Sequence, residues 1–119
     1  MLTTLASKEV ANTFRWKPRQ EPEIAVADMS TRHLFFTVRM LWNNFMPDPA
    51  RVGDVRLYRF GSHYTREYMA DAIRAMVPEL ERREANLHDD WKQQLSKMRG
   101  WFLKDVYVYT IAADHDLAQ

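Results

Sequence analysis

Two sets of side chains in this 119-residue sequence have the chemistry to make a site. The first is basic and aromatic: Arg32, Arg39, Arg51, Arg56, Arg59 and Arg66, with Tyr58 and Tyr64 among them. Guanidinium groups beside aromatic rings bind phosphates, nucleobases or an acidic protein patch, because the planar fork donates paired hydrogen bonds and also stacks. The second set is acidic: Glu67, Asp71, Glu79, Glu81, Glu84, Asp89 and Asp90. Carboxylates in that density on helical segments make either a solvated face or a patch that docks a basic, nucleic-acid-binding surface. The two sets are segregated. Residues 31–66 carry six arginines against Asp48 and Asp54, a net +4, whereas residues 67–90 carry seven acids against Arg74, Arg82 and Arg83, a net −4.

Catalytic patterns are weaker. Ser62 next to His63 suggests a nucleophile and base, but adjacent residues on a turn do not align the two, and no third group is specified. The helix start after them, with Arg66, could hold a small anion. The four histidines, His33, His63, His88 and His115, have no metal-site spacing, and without a single cysteine thiolate chemistry is excluded. No phosphate loop or nucleophile elbow occurs. The sequence therefore calls for no metal and no cofactor, and it reads as non-catalytic.

Three helices must position these groups. Residues 31–46 place Leu34, Phe35, Val38, Leu41, Trp42 and Phe45 on one apolar arc, with Arg32, Arg39 and Asn43 on the opposite, solvent-facing ridge. Ser30 or Thr31 caps the start, and Pro47 cannot continue the helix. Residues 64–83 repeat the pattern through Tyr68, Met69, Ala72, Ile73, Met76, Val77 and Leu80, and Pro78 predicts a kink or break. The third helix, 87–101, is capped by Asn86, and its stripe is Leu87, Trp91, Leu95, Met98 and Phe102.

Strand signals are shorter. Phe14 and Trp16 alternate with Arg15 and Lys17 in 13–17, VRLYRF at 55–60 follows the Pro47, Pro49 and Gly53 loop, and DVYVYTI at 105–111 alternates or continues the third helix. The expected fold is α+β, three helices with two or three short strands at one edge; all-α is the alternative. Residues 1–119 read as one domain, with 1–27 a partly extended arm that either covers the core as an edge strand or engages a partner through its aromatics. The composition, 46% hydrophobic and 28% charged, is that of a globular chain. No run has the length of a membrane span or the pattern of a signal peptide, so the expected compartment is the cytoplasm. Arginine outnumbers lysine twelve to five, which favours interface contacts over a merely solvated surface.

The blocks STRHLFFTVRMLWNN and YTREYMADAIRAMVPEL resemble small proteins encoded by bacteriophages and prophages. That resemblance implies a bacterial host cell and a partner that is a host protein or nucleoprotein machine, a defence system such as a CRISPR effector included, which the protein binds and inhibits. In that reading the acidic set is the partner surface. The alternative is nucleic-acid or nucleotide binding through the arginine and tyrosine set.

Overall fold

A computed structural model describes residues 14–102; the 105–111 strand or helix and His115 lie outside the described residues. The architecture is α+β: three helices, α1 (Thr31–Phe45), α2 (Arg66–Arg82) and α3 (Asp89–Phe102), and an antiparallel pair of two-residue strands, β1 (Arg15–Trp16) and β2 (Ile24–Ala25). Arg15 faces Ala25 and Trp16 faces Ile24 across the pair.

Helix α1 begins where its sequence says it should. Ser30 is extended, and its Oγ accepts a hydrogen bond from the His33 amide at 3.1 Å, satisfying one of the free donors of the first turn. Met46 returns to extended backbone directly before Pro47, whose ring disfavours helical geometry in the residue preceding it. Between these stops the arc from Leu34 to Phe45 is buried against α2, and Trp42 and Phe35 are among the largest fully buried side chains. Asn43 departs from the expected ridge. It is 1% exposed, because a loop folds over that side of the helix and takes both ends of its amide.

Helix α2 is capped by Thr65, whose Oγ1 accepts from the Tyr68 amide at 3.1 Å. Of the kink or break expected at Pro78, the break does not occur: the helix runs on to Arg82. A proline inside a helix costs about 3 kcal/mol. Burial of Met76, Val77 and Leu80, at roughly 1.5–3 kcal/mol each, outweighs that, and Glu79 ties the last turn together by bonding Arg82 and Arg83. Asn86 is not the cap of α3. It ends a short 3-10 turn (Glu84–Asn86), and the helix starts at Asp89, where two acids face its positive end. Leu87, Leu95 and Met98 enter the core, and Trp91 stacks on Phe35 with centroids 4.3 Å apart.

The N-terminal pair is pinned to α2 by tyrosine hydroxyls. Tyr68 donates to the Arg15 carbonyl at 3.0 Å and accepts from the Lys17 amide at 2.9 Å, while Tyr64 donates to the Lys17 carbonyl at 2.7 Å. Trp16 lies against both rings. Burial pushes the Tyr68 phenol above the usual tyrosine range, outweighing the Lys17 hydrogen bond that favours its ionised form; nearby Glu23 and Tyr64 add to the rise. The folded state thus prefers the neutral phenol, and the associated stability is complete at neutral pH and is lost as pH climbs from the unfolded value, near 10, through the raised folded one. Tyr68→Phe is expected to cost about 1 kcal/mol at neutral pH and less at about pH 11, above the unfolded value, where wild type has begun to lose its advantage. Melting curves at the two pH values check this; an equal difference at both would remove Tyr68 ionisation from the account.

Residues 55–60, expected as a strand, form neither strand nor helix. Val55, Leu57 and Tyr58 are exposed instead, at 43, 56 and 52%.

Candidate arginine–aromatic cleft

The cleft is built on the outer side of α1 by a loop that the helix itself anchors. Three consecutive side chains near the helix end reach into that loop. The Trp42 indole Nε1 donates to the Ala50 carbonyl at 2.7 Å. The Asn43 amide donates to the Val52 carbonyl and accepts from the Val52 amide, both at 2.9 Å, pairing with one loop residue as a strand neighbour would. The Asn44 Oδ1 accepts from the Tyr58 amide at 2.9 Å, fixing the exposed segment.

Arg51 closes the assembly. Its Nε donates to the carbonyls of Asn43 and Met46, two of the groups that a helix C-terminus leaves without internal partners, and its Nη1 pairs with Asp48. Lys97 of α3 holds the Arg51 carbonyl at 2.9 Å. Gly53, with φ +65°, lets the chain turn where a Cβ would stand 2.5 Å from Gln94 Oε1 and 2.8 Å from Arg39 Nη1.

Loop and helix enclose an open cleft of about 350 Å³, lined by Phe36, Arg39, Met40, Asn43, Asp54, Arg56 and Tyr58. The guanidinium of Arg39 lies 4.9 Å from the centre of the Phe36 ring and 5.7 Å from that of Phe35. Arg32 lies 4.9 Å from the Phe36 centre. Trp91, edge-on to Phe36 at 5.4 Å and itself met edge-on by His88, backs the aromatic floor. Arg39 donates to Gln94 Oε1 at 3.3 Å, a neutral partner. Among the described residues neither Arg32 nor Arg39 has a carboxylate partner. Arg56, 72% exposed, pairs with Asp54 at 3.1 Å on the rim.

The structure divides both sequence sets. Of the basic set, Arg39, Arg56 and Tyr58 meet at the cleft, Arg32 meets the Phe36 ring without lining it, and Arg59 is exposed on the same segment. Arg51 is committed to carbonyls and Tyr64 to the N-terminal strand, so neither joins them; Arg66 opens α2.

Of the acidic set, three are taken up by arginines. Glu79 is 9% exposed and bonds Arg82 and Arg83, and Arg83 continues to the Met29 and Ala27 carbonyls and the Thr31 hydroxyl. Glu81 and Glu84 hold Arg99 at 2.6 and 2.9 Å. Glu67, Asp71, Asp89 and Asp90 remain exposed. The Asp71 carboxyl is pushed up by desolvation, against the attraction of Arg74 and with the help of Glu67.

Sequence reasoning passed over Phe36, Met40 and Gln94. The signal for Phe36 was there: it stands four residues after Arg32 and three before Arg39, the spacing that puts all three on one helical face. Gln94 carried no such signal, being brought in by α3.

His63 rests edge-on against Tyr64 and Tyr68, and Ser62 and His63 sit in the turn before α2. Among the described residues no three His, Asp or Glu side chains gather as metal ligands would, and no helix is long and apolar enough to cross a membrane. Compared with protein-family models, curated proteins and solved structures, the chain matches none of them.

Proposed function

We propose that the protein is a non-catalytic interaction protein that docks a partner protein through the segment 55–60. One observation carries this reading. The exposed large hydrophobics of the described residues, Val55, Leu57 and Tyr58, all fall on that one segment, with Arg56 and Arg59 between and beside them. Apolar surface gathered in one place and mixed with tyrosine and arginine has the composition of a protein interface core, where burial of the apolar groups supplies affinity and the arginines supply orientation. Anchoring by Asn44 holds the segment in one arrangement before a partner arrives, which lowers the ordering cost of binding.

The resemblance to phage-encoded proteins makes the partner a host protein or nucleoprotein machine of the bacterial cytoplasm, a defence effector among them, and the outcome its inhibition by occlusion. The acids left exposed, Glu67 and Asp71 on α2 and Asp89 and Asp90 on α3, are further contacts for basic groups on that partner.

The test is a tagged pulldown from bacterial host lysate, with and without nuclease, comparing wild type with the double variant Val55→Ser, Leu57→Ser. The expected result is a stoichiometric protein partner that survives nuclease and falls at least about tenfold in the variant. Melting of the variant should stay within about 0.5 kcal/mol of wild type, since both side chains are exposed. A partner retained equally by the variant, or one lost with nuclease, would overturn the reading.

A further inference from the structure

We infer that the cleft under this segment is a binding site for a nucleoside phosphate group, either a free nucleotide or one unit of a single strand. The inference stands apart from the protein-docking reading, because it rests on the arginines of α1 rather than on Val55 and Leu57.

The first argument is charge. Arg39, which lines the cleft, lies 4.9 Å from the centre of the Phe36 ring, Arg32 outside the lining meets the same ring at the same distance, and among the described residues no carboxylate balances either. Like charges gathered without a counter-ion raise the local positive potential, and an arriving anion relieves it. Arg56 adds a third guanidinium at the rim, its charge partly offset by Asp54.

The second argument is geometry. The contact of Arg39 with the Phe36 ring uses none of its N–H donors and so leaves them for other partners. Arg39 has given one of these to Gln94, and that bond together with the ring contacts holds its side chain in place in advance. Phosphate oxygens match such a fork, and the side-chain ordering that ordinarily opposes binding has already occurred on folding.

The third argument is shape and lining. A volume of about 350 Å³ lies at the small end of ligand sites, room for one nucleotide and not for a duplex. Tyr58, half exposed in the lining, offers a ring face for a base, and Asp54 can accept from a base N–H or a ribose hydroxyl. Phosphate would then lie toward Arg39 and the base toward Asp54 and Tyr58. A net charge of +1 for the chain fits a local site of this kind better than a general nucleic-acid surface.

The probes are AMP, adenosine, inorganic phosphate, a six-nucleotide oligo-dT and polyglutamate, titrated into the full chain at low salt with backbone and arginine side-chain NMR shifts as the readout. AMP or oligo-dT should perturb residues 36, 39, 54, 56 and 58 and bind at least about tenfold tighter than adenosine or phosphate alone. Equal affinity for AMP and the oligomer assigns a free nucleotide; much tighter oligomer binding that weakens with salt assigns a strand.

Arg39→Gln and Tyr58→Ser should each weaken binding by about tenfold, and Arg32→Gln, at an exposed position outside the lining, by less, with unchanged circular dichroism. The Val55→Ser, Leu57→Ser variant should bind AMP or oligo-dT as wild type does, which keeps this outcome separate from that of the pulldown. Phosphate binding as tightly as AMP, polyglutamate binding as tightly as either, or no binding by any probe would overturn the assignment.

Discussion

Trp42→Ala is expected to lose about 3–5 kcal/mol of folding free energy, the largest effect of any single substitution in α1. Two terms combine. The indole is fully buried, so truncation leaves a cavity that the surrounding close-packed core closes only in part. Its Nε1 also holds the Ala50 carbonyl at 2.7 Å, and Ala50 is itself fully buried, so the carbonyl is left unpaired away from water.

Trp42→Phe separates the terms by retaining most of the bulk without the donor, and about 1–3 kcal/mol is expected for it. Denaturant unfolding of the three proteins, compared at constant slope, measures both. A Trp42→Ala midpoint equal to that of wild type would displace α1 from the centre of the fold.

Asn43→Ala is expected to cost about 2–4 kcal/mol although it removes no apolar surface, because both polar groups of Val52 then lose their partner at a position only 4% exposed. Asn43→Asp makes a sharper comparison. It preserves the acceptor for the Val52 amide but turns a second oxygen, and a charge, toward the Val52 carbonyl, so it should be at least as damaging as alanine. Because Asn43 anchors the loop that carries Asp54 and Arg56, both variants should also weaken ligand binding at the cleft under conditions where the helices remain folded. Thermal melting together with the NMR titration distinguishes these effects. Stability and binding both unchanged would mean that the loop is held by other contacts.

The difference between the two sites in legibility has a physical origin. Helices announce themselves because their hydrogen bonds are local and their buried face recurs at a fixed spacing: Ser30 and Thr65 as caps, Pro47 as a stop and the arc from Leu34 to Phe45 all act within a few residues of one another. Asn86 misled because the cap-like residue is engaged in a 3-10 turn two residues early. Pro78 leaves the helix unbroken for a different reason: the penalty is local, while the burial that outweighs it comes from the rest of the core.

Strands depend on a partner that the sequence does not specify. VRLYRF has the right residue types at 55–60, yet strand propensity describes the fit to a pleated, half-buried surface, and among the described residues no neighbouring strand supplies one there. Strand pairing among the described residues goes instead to Arg15–Trp16 and Ile24–Ala25, two residues each and too short for alternation to show in the second. Charge behaves the same way. The acidic run looks like one face in sequence, but Glu81 and Arg99 are 18 positions apart and become partners only when α3 folds against α2.

The sequence by itself determined the three helices, the α+β class and the placing of Arg32, Phe36 and Arg39 on one side of α1, because each follows from the 3.6-residue repeat and from end signals a few residues away. Only the tertiary structure decided which arginines share a site. Arg56 and Tyr58 reach the same cleft because Trp42, Asn43 and Asn44 bind a loop that begins after their own helix has ended, whereas Arg51, equally basic and nearer in sequence to Arg56 than Arg39 is, is consumed by the carbonyls at that helix end.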